Sequence, residues 1–90
     1  MITVHKTDGT KQEFTDNSLL NLEWMQAQVG GLIQIITGSD NSLIVCNEEG
    51  KLDNLPYNEA GTKWFDKQFG KNLDEIWGDC IIVTSPNFVD

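Results

Sequence analysis

Arginine is absent from the sequence, and His5 is its only histidine. Without arginine the chain lacks the planar, bidentate fork that grips phosphates and guanine edges, so six lysines would have to neutralise any nucleic-acid backbone. Fourteen acidic residues oppose them, for a formal net charge of -8, and this balance speaks against direct nucleic-acid binding. His5 has no cysteine near it in sequence, so local spacing encodes neither Cys-His nor Ser-His-Asp chemistry. No GxxxxGK[ST] or GxGxxG run offers a phosphate cradle, and no His/Cys spacing suits zinc. Long apolar runs are missing too: nothing approaches the ~20 residues that span a bilayer. The opening MITVHKTDGT has no basic segment followed by an apolar one, so neither membrane insertion nor export is expected and the localisation reads as cytoplasmic. The two cysteines, Cys46 and Cys80, sit in the apolar runs LIVC and CIIV, where buried thiols behave as small hydrophobes. They are expected to be free and reduced. A disulfide between neighbouring strands is the competing reading.

What is present suffices for a globular core. Ninety residues make one domain, residues 1–90, because halves of so short a chain could not bury enough apolar surface to offset the entropy of ordering them. The hydrophobic share is 39%, with three Trp and four Phe, which argues for folding despite the acidity. Charge is most negative in the middle, at about -4 over residues 30–62 against about -2 in each flanking third.

Residues 2–6 alternate β-branched and polar side chains, Asp8-Gly9 suits a hairpin turn, and KQEF reads as the return strand. Asp16, Asn17 and Ser18 offer caps before Leu19, Leu22, Met25 and Val29, a spacing that predicts a helix over 18–29 ending at Gly30-Gly31. LIQII and SLIVCN, joined by TGSDN, form a second hairpin, expected at the sheet centre. Asn58 reads as the N-cap of a helix through Trp64 and Phe69 to Gly70, and CIIVTS is a last strand ended by Pro86. The order predicts an α+β fold: a small antiparallel or mixed sheet of four to five strands packed against two helices, both on one face. Ile33, Ile35, Ile44, Cys46, Ile82 and Val83 are the expected sheet core.

One loop region, between the second hairpin and the second helix, concentrates Asn47, Glu48, Glu49, Asn54, Tyr57 and Asn58. Turn chemistry explains several of these: Gly50 would allow a left-handed backbone, and Asn47 and Asn58 would satisfy local donors. A ligand site explains them equally well. Adjacent Glu48 and Glu49 point apart, which is poor geometry for acid-base work on one bond. With Asp53 and Asn54 they supply oxygen ligands, but without the alternating pattern and terminal bidentate Glu of a calcium loop. Trp64, Phe65 and Phe69 do not form one clean helical stripe, so some aromatic surface is expected to face a partner or to complete the core.

The segments Gly30-Gly31, Val45-Cys46-Asn47-Glu48-Glu49-Gly50-Lys51-Leu52, Leu55-Pro56-Tyr57-Asn58 and Ile76-Trp77-Gly78-Asp79 occur in an order and spacing that resembles the DUF3846 family, small proteins of unknown function found in phage and mobile-element genomes. The resemblance covers about half the chain. It implies a phage-like origin and an accessory role, and it supplies no catalytic residue. The expectation is therefore a non-enzymatic, cytoplasmic accessory protein that binds and inhibits a host protein or host defence component, acting in the host cytoplasm if phage-encoded. Two alternatives stand beside it: a sponge that encloses a small nucleotide-like defence signal at an oligomer interface, and an acidic DNA mimic. Candidate ligand or partner residues are Asn47, Glu48, Glu49, Asn54, Tyr57, Asn58 and Trp64. No catalytic residue, metal or cofactor is assigned.

Overall fold

The computed structural model describes residues 1–84. Strands β1 (Ile2–His5), β2 (Lys11–Phe14), β3 (Ile33–Thr37), β4 (Leu43–Asn47) and β5 (Cys80–Val83) and helices α1 (Leu22–Val29) and α2 (Glu59–Phe69) follow in the order β1-β2-α1-β3-β4-α2-β5. The strands form one five-stranded sheet in the order β2-β1-β5-β4-β3, with every neighbouring pair antiparallel. This is the expected α+β class.

The sheet centre differs from the expectation. The last strand, β5, inserts between the two hairpins and pairs with both β1 and β4, whereas β3 lies at an edge. The reason is compositional: all four residues of CIIV are buried, which a strand can achieve only with neighbours on both sides and cover on both faces. Pro86, expected to end this strand, lies outside the described residues.

The helices do not share a face. Strand alternation puts Ile2, Val4, Val45, Ile81 and Val83 on one side, where they pack with Val29, Trp24 and Met25 of α1. Ile44, Cys46, Cys80 and Ile82 point to the other side and pack with Trp64 and Phe65 of α2 and with Ile76. The same continuous apolar runs that mark these strands as buried require two covering layers, so one helix covers each face. Ile44, Cys46, Ile82 and Val83 are core residues as expected. Ile35 is not: it is 52% exposed, because it lies on an edge strand beyond the cover of α1.

Local chemistry sets the helix ends. Asp16 caps only a 3-10 turn, Asn17–Leu19, and Leu20 leaves helical geometry at ψ 56°. Asn21 then accepts the Trp24 N–H at 2.9 Å and starts α1 later than the apolar spacing suggests. Gly30, at φ 78°, takes the left-handed position that ends it. Helix α2 runs as expected from the Asn58 cap to Gly70. Among the described residues no helix is long and apolar enough to cross a membrane.

Candidate functional site

The loop after β4 is built by side chains that face inward. Asn47 accepts the Glu49 N–H at 2.8 Å and donates to the Val29 carbonyl at 3.2 Å, tying the end of α1 to the end of β4. Gly50 is buried against the chain at Trp77, so close that a Cβ there would lie 2.5 Å from the Trp77 carbonyl oxygen. Its φ is not left-handed; the left-handed residue of this loop is Asn54, at φ 54°. Glycine is thus required at 50 for close approach rather than for backbone sign, which corrects the sequence reading.

Asn58 is fully buried and makes three side-chain hydrogen bonds. Its Oδ1 accepts the Gly61 N–H at 2.9 Å, and its Nδ2 donates to the His5 carbonyl at 3.0 Å and the Gly78 carbonyl at 2.9 Å. One side chain joins the start of α2, the end of β1 and the approach to β5. Trp64 is also internal, 8% exposed, with its indole N–H donating to Ser42 Oγ at 2.8 Å. Asn47, Asn58 and Trp64 therefore carry structural duties, and Asn58, with both amide protons spent and its side chain out of reach of solvent, is not placed to meet a partner.

Glu48, Glu49, Asn54 and Tyr57 remain at the surface. The carboxylates of Glu48 and Glu49 make no hydrogen bond or ion pair among the described residues. Tyr57 is 41% exposed and pairs with Trp77 through an isolated bridge and an edge-on ring contact at 5.6 Å. This contact brings the 74–77 segment alongside the loop. Two shallow grooves meet there and share Lys51, Asp74 and Glu75. One, of about 140 Å³, also touches Glu48, Cys46 and Trp77. The other, of about 310 Å³, is also lined by Tyr57, Thr62, Asp66 and Leu73. Lys51 is their only cation, 3.5 Å from Asp74 Oδ1, an exposed pair worth at most ~1 kcal/mol. Leu52 and Leu73 are among the most exposed apolar residues of the chain. Two buried side-chain atoms have no hydrogen-bond partner among the described residues, Trp77 Nε1 and Asp66 Oδ1, and both belong to residues that line these grooves.

All the family-like segments thus converge on one structural knot: Gly31 against Asn47, Gly50 against Trp77, Asn58 against Gly78, and Gly78 N–H on the Pro56 carbonyl at 2.7 Å. The profile of the family described as "Domain of unknown function (DUF3846)" matches residues 2–89. The chain belongs to this family. No curated protein and no solved structure matches it. In this DUF3846 domain the NEEG-K-L and LP-x-N segments are scaffold through Asn47, Gly50 and Asn58, while their Glu48, Lys51 and Tyr57 face outward and line the grooves with residues of the 72–77 segment. Leu73, Asp74 and Glu75 were missed in sequence because a long-range contact, the Tyr57–Trp77 bridge, brings them to the loop. The Ile76-Trp77-Gly78-Asp79 part of the family pattern was the available signal.

Two further clusters of the DUF3846 domain bear on chemistry. The β1–β5 register puts His5 opposite Cys80, an approach that sequence spacing did not reveal. The thiol lies fully buried beneath Gly61, whose added Cβ would be 3.0 Å from Sγ. Burial pushes Cys80 up to about 12 and Cys46 up to about 11, holding both as neutral thiols, the form that neither attacks nor ligates. Both are free. Burial also lowers the His5 imidazole below its ordinary value, and the nearby Lys11 charge acts in the same direction.

At the opposite end of β4, Asp40 accepts from the Ser42 hydroxyl, from the Ser42 N–H at 3.0 Å and from Gln68 Nε2 at 3.1 Å. Gln68 Oε1 in turn accepts the Ser39 N–H at 2.8 Å, which bolts the β3–β4 turn to α2. These donors, the Ser42 hydroxyl first, hold the Asp40 carboxyl down to about 2 against an ordinary 3.8. A folded-state value below the unfolded one means that this stabilisation is complete above the ordinary carboxylate range and disappears as pH falls through about 2. Thermal unfolding followed against pH is therefore expected to show the midpoint dropping across that acid window. Asp40→Asn should make the slope shallower without abolishing it, since Asp8 and Asp16 are lowered too. An unchanged slope would remove Asp40 from the acid response.

Proposed function

We propose that this DUF3846 domain is a non-enzymatic accessory protein of phage type that works in the host cytoplasm by docking on a host protein or defence component and blocking it. The observation that carries the reading is the surface where the two grooves meet: Tyr57 and Leu73, both exposed, rimmed by Glu48, Asp66, Asp74 and Glu75 with Lys51 as the one cation. Apolar area bordered by carboxylates suits a basic, partly apolar patch on another protein, with the charge steering the encounter and the apolar residues holding it.

The two alternatives draw less support. A nucleotide-like ligand calls for Lys51 or helix N-terminal amides in a deep pocket; Lys51 does line both grooves, but they are shallow and rich in carboxylates, and the Gly61 amide of α2 is already taken by Asn58. A DNA mimic needs carboxylates at phosphate-like spacing along one face, whereas Glu13, Glu23, Asp40, Glu49 and Glu59 are spread over β2, α1, the β3–β4 turn, the loop after β4 and α2.

Charge reversal tests the reading. Glu48→Lys with Glu49→Lys alters two exposed, unpaired carboxylates, so stability should change by no more than ~0.5 kcal/mol. A protein that the wild-type domain retains from bacterial lysate at low salt should be lost by the variant and should elute as salt rises. Equal recovery by both proteins, or full inhibitory activity of the variant in a phage or toxicity assay, moves the docking surface elsewhere.

A further inference from the structure

The two edges of the sheet are guarded very differently. An unpaired strand edge is a template for another strand, and proteins usually blunt it with charge, proline or cover. Strand β2 does so: Lys11, Gln12 and Glu13 are all exposed, and Lys11 lies 3.9 Å from Glu13. Strand β3 does not. Its sequence IQIIT has neither charge nor proline, and no described residue pairs with its outer edge. The neutrality extends well beyond the strand, since no charged residue occurs from Trp24 to Ser39 in a chain of net charge -8.

The orientation of the free edge follows from its paired side. The Leu32 carbonyl accepts the Glu48 N–H at 2.8 Å, and the Gly38 N–H donates to the Ser42 carbonyl at 2.7 Å. Backbone groups alternate along an antiparallel ladder, so residues 32, 34, 36 and 38 turn toward β4 and Ile33, Ile35 and Thr37 turn their N–H and C=O groups outward. Ile35, the middle of the three, also exposes its side chain, as does Leu32 just before the strand.

We propose that β3 is a self-association edge, at which a second copy of this chain pairs antiparallel about a two-fold axis at Ile35. Ile35 then faces the second copy's Ile35, and Ile33 faces its Thr37. This register satisfies every outward N–H and C=O of the three residues, and a shift of two residues along the edge leaves some unpaired. A second copy is the occupant the charge selects. Two molecules of net charge -8 repel wherever carboxylates meet, and the stretch around β3 is where they can approach without bringing like charges together. The charged β2 strands would then form both outer edges of the joined sheet, so the assembly stops at two copies.

Sedimentation velocity across the micromolar range tests this. The wild-type chain should pass from one to two copies as concentration rises, and added salt should favour the pair by screening repulsion. Ile35→Lys sets two ammonium groups side by side at the axis and should raise the dissociation constant at least about tenfold with an unchanged circular-dichroism spectrum. A wild-type chain that stays monomeric at high concentration and high salt overturns the proposal, even if it accepts an added extended peptide. So does an Ile35→Lys variant that dimerises as well as wild type. Should that variant misfold, hydrogen exchange of the wild type gives the answer: protection of the Ile33, Ile35 and Thr37 amides that grows with concentration supports the pairing, and fast exchange at every concentration refutes it.

Discussion

Asn58→Ala is expected to lose about 4 kcal/mol of stability, a large share of the ~5–13 kcal/mol that holds a domain of this size together. Three contributions add up. The N-cap acceptor for Gly61 disappears, worth ~1 kcal/mol. The carbonyls of His5 and Gly78 each lose a donor inside the protein, at ~1–3 kcal/mol per unsatisfied buried group. The vacated volume sits where no solvent reaches, since the side chain is 0% exposed. Asn58→Asp separates the two roles of the amide. At an exposed helix start Asp caps as well as Asn, but here it would aim a carboxylate oxygen at two carbonyls and should be at least as damaging as Ala. Urea unfolding of the three proteins, compared at equal m-values, checks both expectations. If Asn58→Asp proves near wild type, the cap dominates and the two carbonyl contacts contribute little.

That residue also illustrates what was legible in the sequence. The cap role of Asn58, the helix it opens and the glycine stop at Gly70 are local features, readable from a few neighbouring side chains. Its second role is not local, because His5 and Gly78 reach it only once β5 has entered the sheet between β1 and β4. The same division runs through the fold. Strands were recognisable from apolar runs, yet an apolar run does not say which neighbour it pairs with, so the second hairpin was expected at the sheet centre that β5 occupies. The uninterrupted character of LIVC and CIIV did contain the answer to the layer question, since a strand covered on one face alternates and these do not. At the candidate site, loop composition singled out Glu48, Glu49, Asn54 and Tyr57, which do lie at the surface, together with Asn47 and Asn58, which are spent on the interior, as is Trp64, raised by the aromatics of α2. Polar residue type alone cannot separate an amide that faces solvent from one that ties three elements together.

Gly50→Ala should also be costly, at about 3 kcal/mol, and its cause is steric rather than conformational. The added methyl would stand 2.5 Å from the Trp77 carbonyl oxygen and 3.3 Å from Trp77 Cβ, and the first of these is backbone that cannot swing aside. The loop after β4 and the 74–77 segment must therefore separate, which disturbs the Tyr57–Trp77 contact and the Lys51–Asp74 pair that border the grooves. Gly9 is the matched control: it sits at φ 91° with nothing within 4 Å of an added Cβ, so Gly9→Ala meets only the ~1 kcal/mol strain of a left-handed position. Denaturant unfolding should rank the two variants in that order. Binding by the proposed docking surface should fall for Gly50→Ala and hold for Gly9→Ala, which lies in the β1–β2 turn. Were Gly50→Ala to fold with near-native stability and bind normally, the close approach at Trp77 would not be what shapes this surface, and the grooves would have to form by other contacts.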